Sequence, residues 1–148
     1  MQMLSRKGYT EILSKLEEEL TRQLTERQAQ KILNFARLHY GASSSEEIAE
    51  RRLDELYGAT LECWHFFQKV APGQPKVKVF NPDFEENGWQ STHTVIVILQ
   101  ADMPFLIDSI RMEVNRRELT IHSIHNSIMA VKRDAKGKLV DVMASEGL

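Results

Sequence analysis

From Ile12 to Val70 apolar side chains recur at intervals of three and four; from Lys76 onward the interval drops to two. Ile12, Leu13, Leu16, Leu20 and Leu24, with Glu17, Glu18 and Arg22 between them, predict a helix with one apolar stripe and a solvated back. Ala29, Ile32, Leu33, Phe35, Ala36 and Leu38 predict a second, opened by a Thr25–Gln28 capping box and stopped by Gly41. Ser44 and Glu47 repeat the capping-box spacing, and Ile48, Leu53, Leu56 and Tyr57 supply the next apolar face. Gly58 is expected to break or kink this helix before the aromatic-rich run from Ala59 to Val70. Ala71-Pro72-Gly73-Gln74-Pro75 ends the helical region and is the best internal boundary. It divides the chain into a helical segment, 1–72, and an α+β domain, 73–148.

Beyond it, Lys76 to Phe80 alternates polar and apolar as a half-buried or edge strand does. Asn81-Pro82-Asp83 and Asn87-Gly88 are turns. Val95 to Leu99 is an unbroken apolar run, which predicts a central strand buried on both faces. Pro104 fits the first turn of a helix whose inner face is Leu106, Ile107, Ile110 and Val114. Thr120 to Arg133 reads as a strand whose alternation slips near His122–Asn126, as a bulge would make it. Asp134 to Lys138 is a hairpin turn and Leu139 to Met143 a last strand. The second part is thus β-β-α-β-β: a right-handed βαβ unit plus a hairpin, giving a mostly antiparallel sheet with one packed helix. The second sheet face is apolar as well, and needs either the N-terminal helices or a second copy of the chain to cover it.

Composition narrows the function. The 148 residues carry 19 basic and 21 acidic side chains, a net charge of -2 that gives nucleic acid or an anionic membrane no reason to bind. No apolar run is long enough to span a bilayer, and the first residues lack a signal peptide's apolar core. The lone cysteine, Cys63, is expected to be a buried structural thiol of raised pKa, and a cytoplasmic location follows. The seven glycines form no phosphate-cradling loop. His39, His65 and His93 are isolated, and His122 and His125 point to opposite faces of an ideal strand, so no metal site is expected unless a bulge turns both rings to one side. Lys132, Arg133, Lys136 and Lys138 read as a solvated hairpin. At Gln100-Ala101-Asp102-Met103-Pro104 a strand passes directly into a helix. Asp102 there is a helix cap on one reading; on another, the free N–H groups of the helix start hold an anion such as a ligand carboxylate.

The string Asp102-Met103-Pro104-Phe105-Leu106-Ile107-Asp108-Ser109, with Leu56-Tyr57-Gly58-Ala59, Lys78-Val79-Phe80-Asn81-Pro82 and Asn87-Gly88-Trp89-Gln90-Ser91, resembles the N-terminal ACT-like segment of the large bacterial NAD-specific glutamate dehydrogenases. The resemblance implies a ferredoxin-like, ACT-like fold and a non-catalytic regulatory or assembly role in a parent that oxidatively deaminates L-glutamate to 2-oxoglutarate. NAD and the catalytic residues would then lie elsewhere in the parent, with no cofactor or catalytic residue in this segment. It also implies an amino-acid effector site at the strand–helix turn, formed by Gln100, Asp102, Met103, Phe105 and Asp108. The chain departs from the family pattern at Phe105, where ACT domains commonly have glycine, and it lacks the second helix and last strand of a full β-α-β-β-α-β domain. Expected partners are the remainder of the parent enzyme and further copies of the chain. A free-standing amino-acid-binding regulatory module is the alternative; a metal-dependent enzyme using His122 and His125 is a third reading.

Overall fold

The computed structural model describes the backbone of residues 2–41, 51–71 and 73–145, and the side chains of the same stretches from residue 11 on. Among the described residues three helices come first: α1 (Gln2–Gln23), α2 (Glu26–Tyr40) and α3 (Leu53–Phe67). The Thr25–Gln28 capping box is formed, with Gln28 N–H donating to Thr25 Oγ1 at 3.3 Å and Thr25 N–H to Gln28 Oε1 at 3.4 Å. Gly41 follows α2 as its C-cap. The anticipated Ser44–Glu47 box, and Ile48, lie outside the described residues.

The predicted stripes turn inward, with Leu13, Leu24, Leu38, Leu53 and Tyr57 half-buried at their margins. Leu16, Leu20, Ala36 and Leu56 are fully excluded from solvent, and Ile32 and Leu33 nearly so, forming one core between these helices. Two buried hydroxyls beside it are tied in: Tyr40 Oη and Thr60 Oγ1 share a 2.8 Å hydrogen bond, and Thr60 Oγ1 donates to the Leu56 carbonyl. A buried hydroxyl left without such partners would destabilise the fold by about 1–3 kcal/mol.

Gly58 does not kink α3. The helix runs through it unbroken, and the glycine instead admits Trp89, whose Cβ would lie 2.3 Å from a Cβ at position 58. The need for close approach, not for a bend, explains the missing side chain.

The α+β part contains β1 (Lys76–Phe80), the one-turn α4 (Phe84–Asn87), β2 (Val95–Leu99), α5 (Leu106–Arg116), β3 (Met129–Arg133) and β4 (Leu139–Ala144). The order β-β-α-β-β is therefore present, with α4 inserted where turns were expected. Asp83 caps α4 by accepting from Glu86 N–H, and Gly88 closes it at φ 77°. The strands form two antiparallel ladders, β1–β2 and β3–β4, and no described pairing joins them. The expected βαβ pairing of β2 with the strand after α5 is not made. Residues 120–128 are irregular, so the returning strand begins only at Met129, and the register shift falls between Lys132 and Arg133 instead of near His122–Asn126.

This changes the environment of β2. Val95–Leu99 pairs on one edge only, and Ile96 is 49% exposed beside the exposed Val77 and Val79 of β1. The expectation of burial on both faces fails because no described element covers the face that carries Val77, Val79 and Ile96. The opposite face, with Lys76, Lys78 and Phe80, is turned to α3: Lys78 pairs with Glu62, and Lys76 Nζ lies 4.5 Å from the centre of the Phe66 ring.

The two parts are joined at the C-terminal end of α3. The Arg133 guanidinium donates to the carbonyls of Phe67 (2.9 Å), Gln68 (3.4 Å) and Gly137 (3.1 Å), and Lys76 Nζ donates to Phe66 (2.8 Å) and Lys69 (3.0 Å). Both cations sit where a helix end presents unpaired carbonyls and negative potential. Leu139 N–H also donates to the Gln68 carbonyl, and Val70 N–H to that of Gly137. Gly137 takes φ 85°, and a Cβ there would lie 2.0 Å from the Val70 oxygen. The anticipated hairpin turn is thus also a docking point.

Candidate functional site

The segment between β2 and α5 determines the site. Asp102 is not the cap of α5. The N-cap is Phe105, held in the left-handed region at φ 62°, ψ 16°, with no side chain capping the helix. Pro104 lies in the turn before the helix, not in its first turn. The chain needs this left-handed residue to swing from the strand into α5, which leaves Asp102 three positions short of the cap. ACT domains commonly carry glycine after the turn proline; here the backbone adopts a glycine-like conformation while the side chain is phenylalanine. A non-glycine residue is disfavoured there by about 1–2 kcal/mol.

Around this turn lies a hollow of about 220 Å³ lined by Asp102, Met103, Phe105, Leu106, Ile107, Asp108 and Asn126. Four of the five residues expected at the effector site, Asp102, Met103, Phe105 and Asp108, are thereby brought together. Gln100 is not among the lining residues; its Nε2 donates to the Ala101 carbonyl at 3.4 Å. Asn126 was not foreseen. It arrives from the irregular stretch 120–128, and the only sequence signal was the lapse in alternation there. Phe105 does not plug the hollow, since its side chain is 76% exposed. The lining offers two carboxylates, the uncapped N–H groups of the first turn of α5 and an apolar wall. Carboxylates suit an ammonium group and helix N–H groups suit a carboxylate, so a small zwitterion matches this set.

The histidines go to different places. His122 stacks on His93 at 4.3 Å between ring centres, both rings exposed. His125 meets His39 edge-on at 4.3 Å, and its Nε2–H donates to the His39 carbonyl at 2.6 Å. His39 Nδ1 is 2.9 Å from Ser127 Oγ. Burial, with the charges of His125 and Arg51 adding, pushes the His39 pKa down to about 3. No group of three or more metal-ligating side chains is gathered among the described residues. Burial pushes the Cys63 thiol up to about 11, with Glu62 adding, which leaves it an inert thiol at neutral pH. Among the described residues no helix is long and apolar enough to cross a membrane.

Helices leading into antiparallel ladders, with a strand that turns directly into a helix, define an ACT-like α+β protein. Residues 35–147 match the family model described as "Glutamate dehydrogenase, ACT1 domain", and the chain belongs to that family. It is 52% identical over 136 residues to an NAD-specific glutamate dehydrogenase of Halomonas elongata, and 40% identical over 128 residues to one of Pseudomonas aeruginosa. These alignments take in 92% and 86% of this chain but 8% of each relative. No solved structure matches it.

Proposed function

We propose that this chain serves as a regulatory or assembly segment of an NAD-dependent glutamate dehydrogenase, whose reaction is the oxidative deamination of L-glutamate to 2-oxoglutarate. The observation that carries this reading is the 52% identity along nearly the whole chain to a relative of which it spans 8%. On this reading catalysis and NAD binding belong to the rest of a much longer cytoplasmic polypeptide, and the segment contributes contacts to that remainder and to further copies. The purified chain is expected to give no glutamate-dependent reduction of NAD. Turnover by the pure chain would overturn the reading.

The hollow beside Phe105 favours a second reading, a module that binds an amino-acid effector through Asp102, Met103, Phe105 and Asp108 with Asn126. A ligand that binds only the folded state raises the melting temperature. A thermal-shift screen of the twenty amino acids is therefore expected to show a rise that Asp108→Ala abolishes. A flat screen would leave the assembly role alone.

A further inference from the structure

Residues 120–128 belong to neither ladder, yet three consecutive side chains there have defined places. His125 Nε2–H donates to the His39 carbonyl at 2.6 Å. That carbonyl is in the last turn of α2, where a helix leaves its acceptors without partners of its own. Ser127 Oγ lies 2.9 Å from Nδ1 of the same histidine. The His39 ring is itself held, stacked on Phe35 at 5.4 Å and edge-on to Tyr40 at 4.9 Å. Asn126, between the two, lines the hollow with Asp102, Phe105 and Asp108. Burial alternates here as it does along a strand: residues 125 and 127 are half-buried, 126 and 128 exposed. His125 and Ser127 are thus turned to α2, and Asn126 to the start of α5.

Residue 126 has no ladder partner to fix it, so its place depends on its two neighbours. Consecutive Cα atoms are about 3.8 Å apart. If residues 125 and 127 both leave α2, Asn126 leaves the hollow with them.

We propose that His39, His125 and Ser127 form a clasp that sets Asn126 at the hollow, so that docking of this stretch on α2 and completion of the hollow are one event. His125 and Ser127 are positioning residues that act through Asn126. The clasp itself is independent of any ligand; its part in regulating ligand binding rests on the effector reading above. On that reading the helical segment and the hollow are coupled in both directions. A bound amino acid that uses Asn126 tightens the stretch on α2, and whatever loosens the end of α2 weakens binding by the same factor.

The test has one arm without a ligand and one with. In the full chain carrying Cys63→Ser and Asn126→Cys, a nitroxide on residue 126 is expected to broaden the amide resonances of Leu106, Ile107 and Asp108. His125→Ala and Ser127→Ala are each expected to reduce that broadening about twofold or more, and Ser127→Thr, which keeps the hydroxyl, to retain it. His122, in the same stretch, stacks on His93 instead, and His122→Ala should leave the broadening unchanged. Circular dichroism checks that each variant folds, and Ser127→Ala, which removes a single oxygen, decides the matter if His125→Ala does not fold. Broadening that ignores the clasp substitutions, or that is absent from the clasped chain, overturns the proposal. In the second arm the chain without the label is titrated with each of the twenty amino acids. One that binds is expected to lose about fivefold in affinity in Ser127→Ala, and the loss to vanish when Asn126→Ala is already present. An equal loss in the Asn126→Ala background would show an effect that bypasses Asn126 and would overturn the coupling. If no amino acid binds, the effector reading fails, and the broadening alone decides whether the clasp stands.

Discussion

The helical segment and the α+β segment solve the same problem to different degrees. Between α1, α2 and α3, leucines 16, 20, 33 and 56 are all but completely removed from water. Among the described residues of the α+β part the buried apolar side chains are Pro82, Trp89 and Val142, and α5 has no buried residue. Val77, Val79, Ile96, Val131, Val140 and Met143 stand in solvent on all four strands. Both segments have comparably apolar sequences, so hydrophobic content does not distinguish them. What differs is closure: three helices can enclose a core from every side, whereas a two-stranded ladder offers two faces and two edges and buries only what another element covers. The α+β part obtains its cover from α3, at Gly58 and Glu62 as well as at its end, and from His39 of α2, and leaves much of its strand surface in solvent.

The sharpest way to break this contrast is truncation at one residue in each part. Leu33→Ala should destabilise the chain by about 3 kcal/mol, because it leaves a cavity in an enclosed core; Val77→Ala, 57% exposed, should change stability by less than about 0.5 kcal/mol. Urea unfolding measures both, and equal losses would end the comparison. Next comes the contact of Trp89 with α3. Gly58→Ala forces a methyl into the indole and should destabilise by about 2 kcal/mol, with a shift in Trp89 fluorescence read in a Trp64→Phe background. Arg133→Met removes the guanidinium that ties the hairpin to the α3 carbonyls. About 1.5 kcal/mol should be lost, and amide exchange should quicken in β3 and β4 while α1 and α2 stay protected. Uniform quickening would mean that the two parts unfold as one.

The dependence on pH rests on a single side chain. Burial holds the His39 imidazole down to a pKa of about 3 in the folded chain, against its ordinary 6.5 when unfolded. Below pH 6.5 the unfolded chain binds a proton that the folded chain refuses until about pH 3, so the contribution is fully present above 6.5 and declines as pH falls through that window, by about 1.4 kcal/mol per pH unit at most. His39→Gln should flatten this part of a stability–pH profile, and an unchanged profile would remove His39 as its source.

Much of the helical segment was legible in the sequence, because a helix buries one stripe and the stripe repeats every three to four residues. The Thr25 capping box and the inner face of α5 were readable for the same reason: both are local. The ladders were read correctly as strands and wrongly as one sheet, since pairing between distant strands leaves no trace in a period of two. Gly58 shows another limit. A missing side chain in a helix signals a bend or a close neighbour equally, and the neighbour, Trp89, lies far along the chain. At the candidate site, Asp102, Met103, Phe105 and Asp108 lie within seven residues of one another, so one short stretch of chain carries all four to the same hollow. Asn126 reaches it from a distant stretch, which only tertiary folding brings there, and Gln100, just before the turn, is not among the lining residues.

Phe105 has a consequence for what selection has acted on. A glycine at φ 62° would relieve the backbone and remove a ring that is 76% in water. For a chain whose only task was to fold in isolation, both changes are improvements, and substitution to glycine would spread. Nothing among the described residues rewards a phenylalanine in this conformation, so the ring is of use only where something outside the described fold meets it. Variation at residue 105 among close relatives should therefore track whatever meets that ring, a ligand or another protein surface, more closely than it tracks thermal stability.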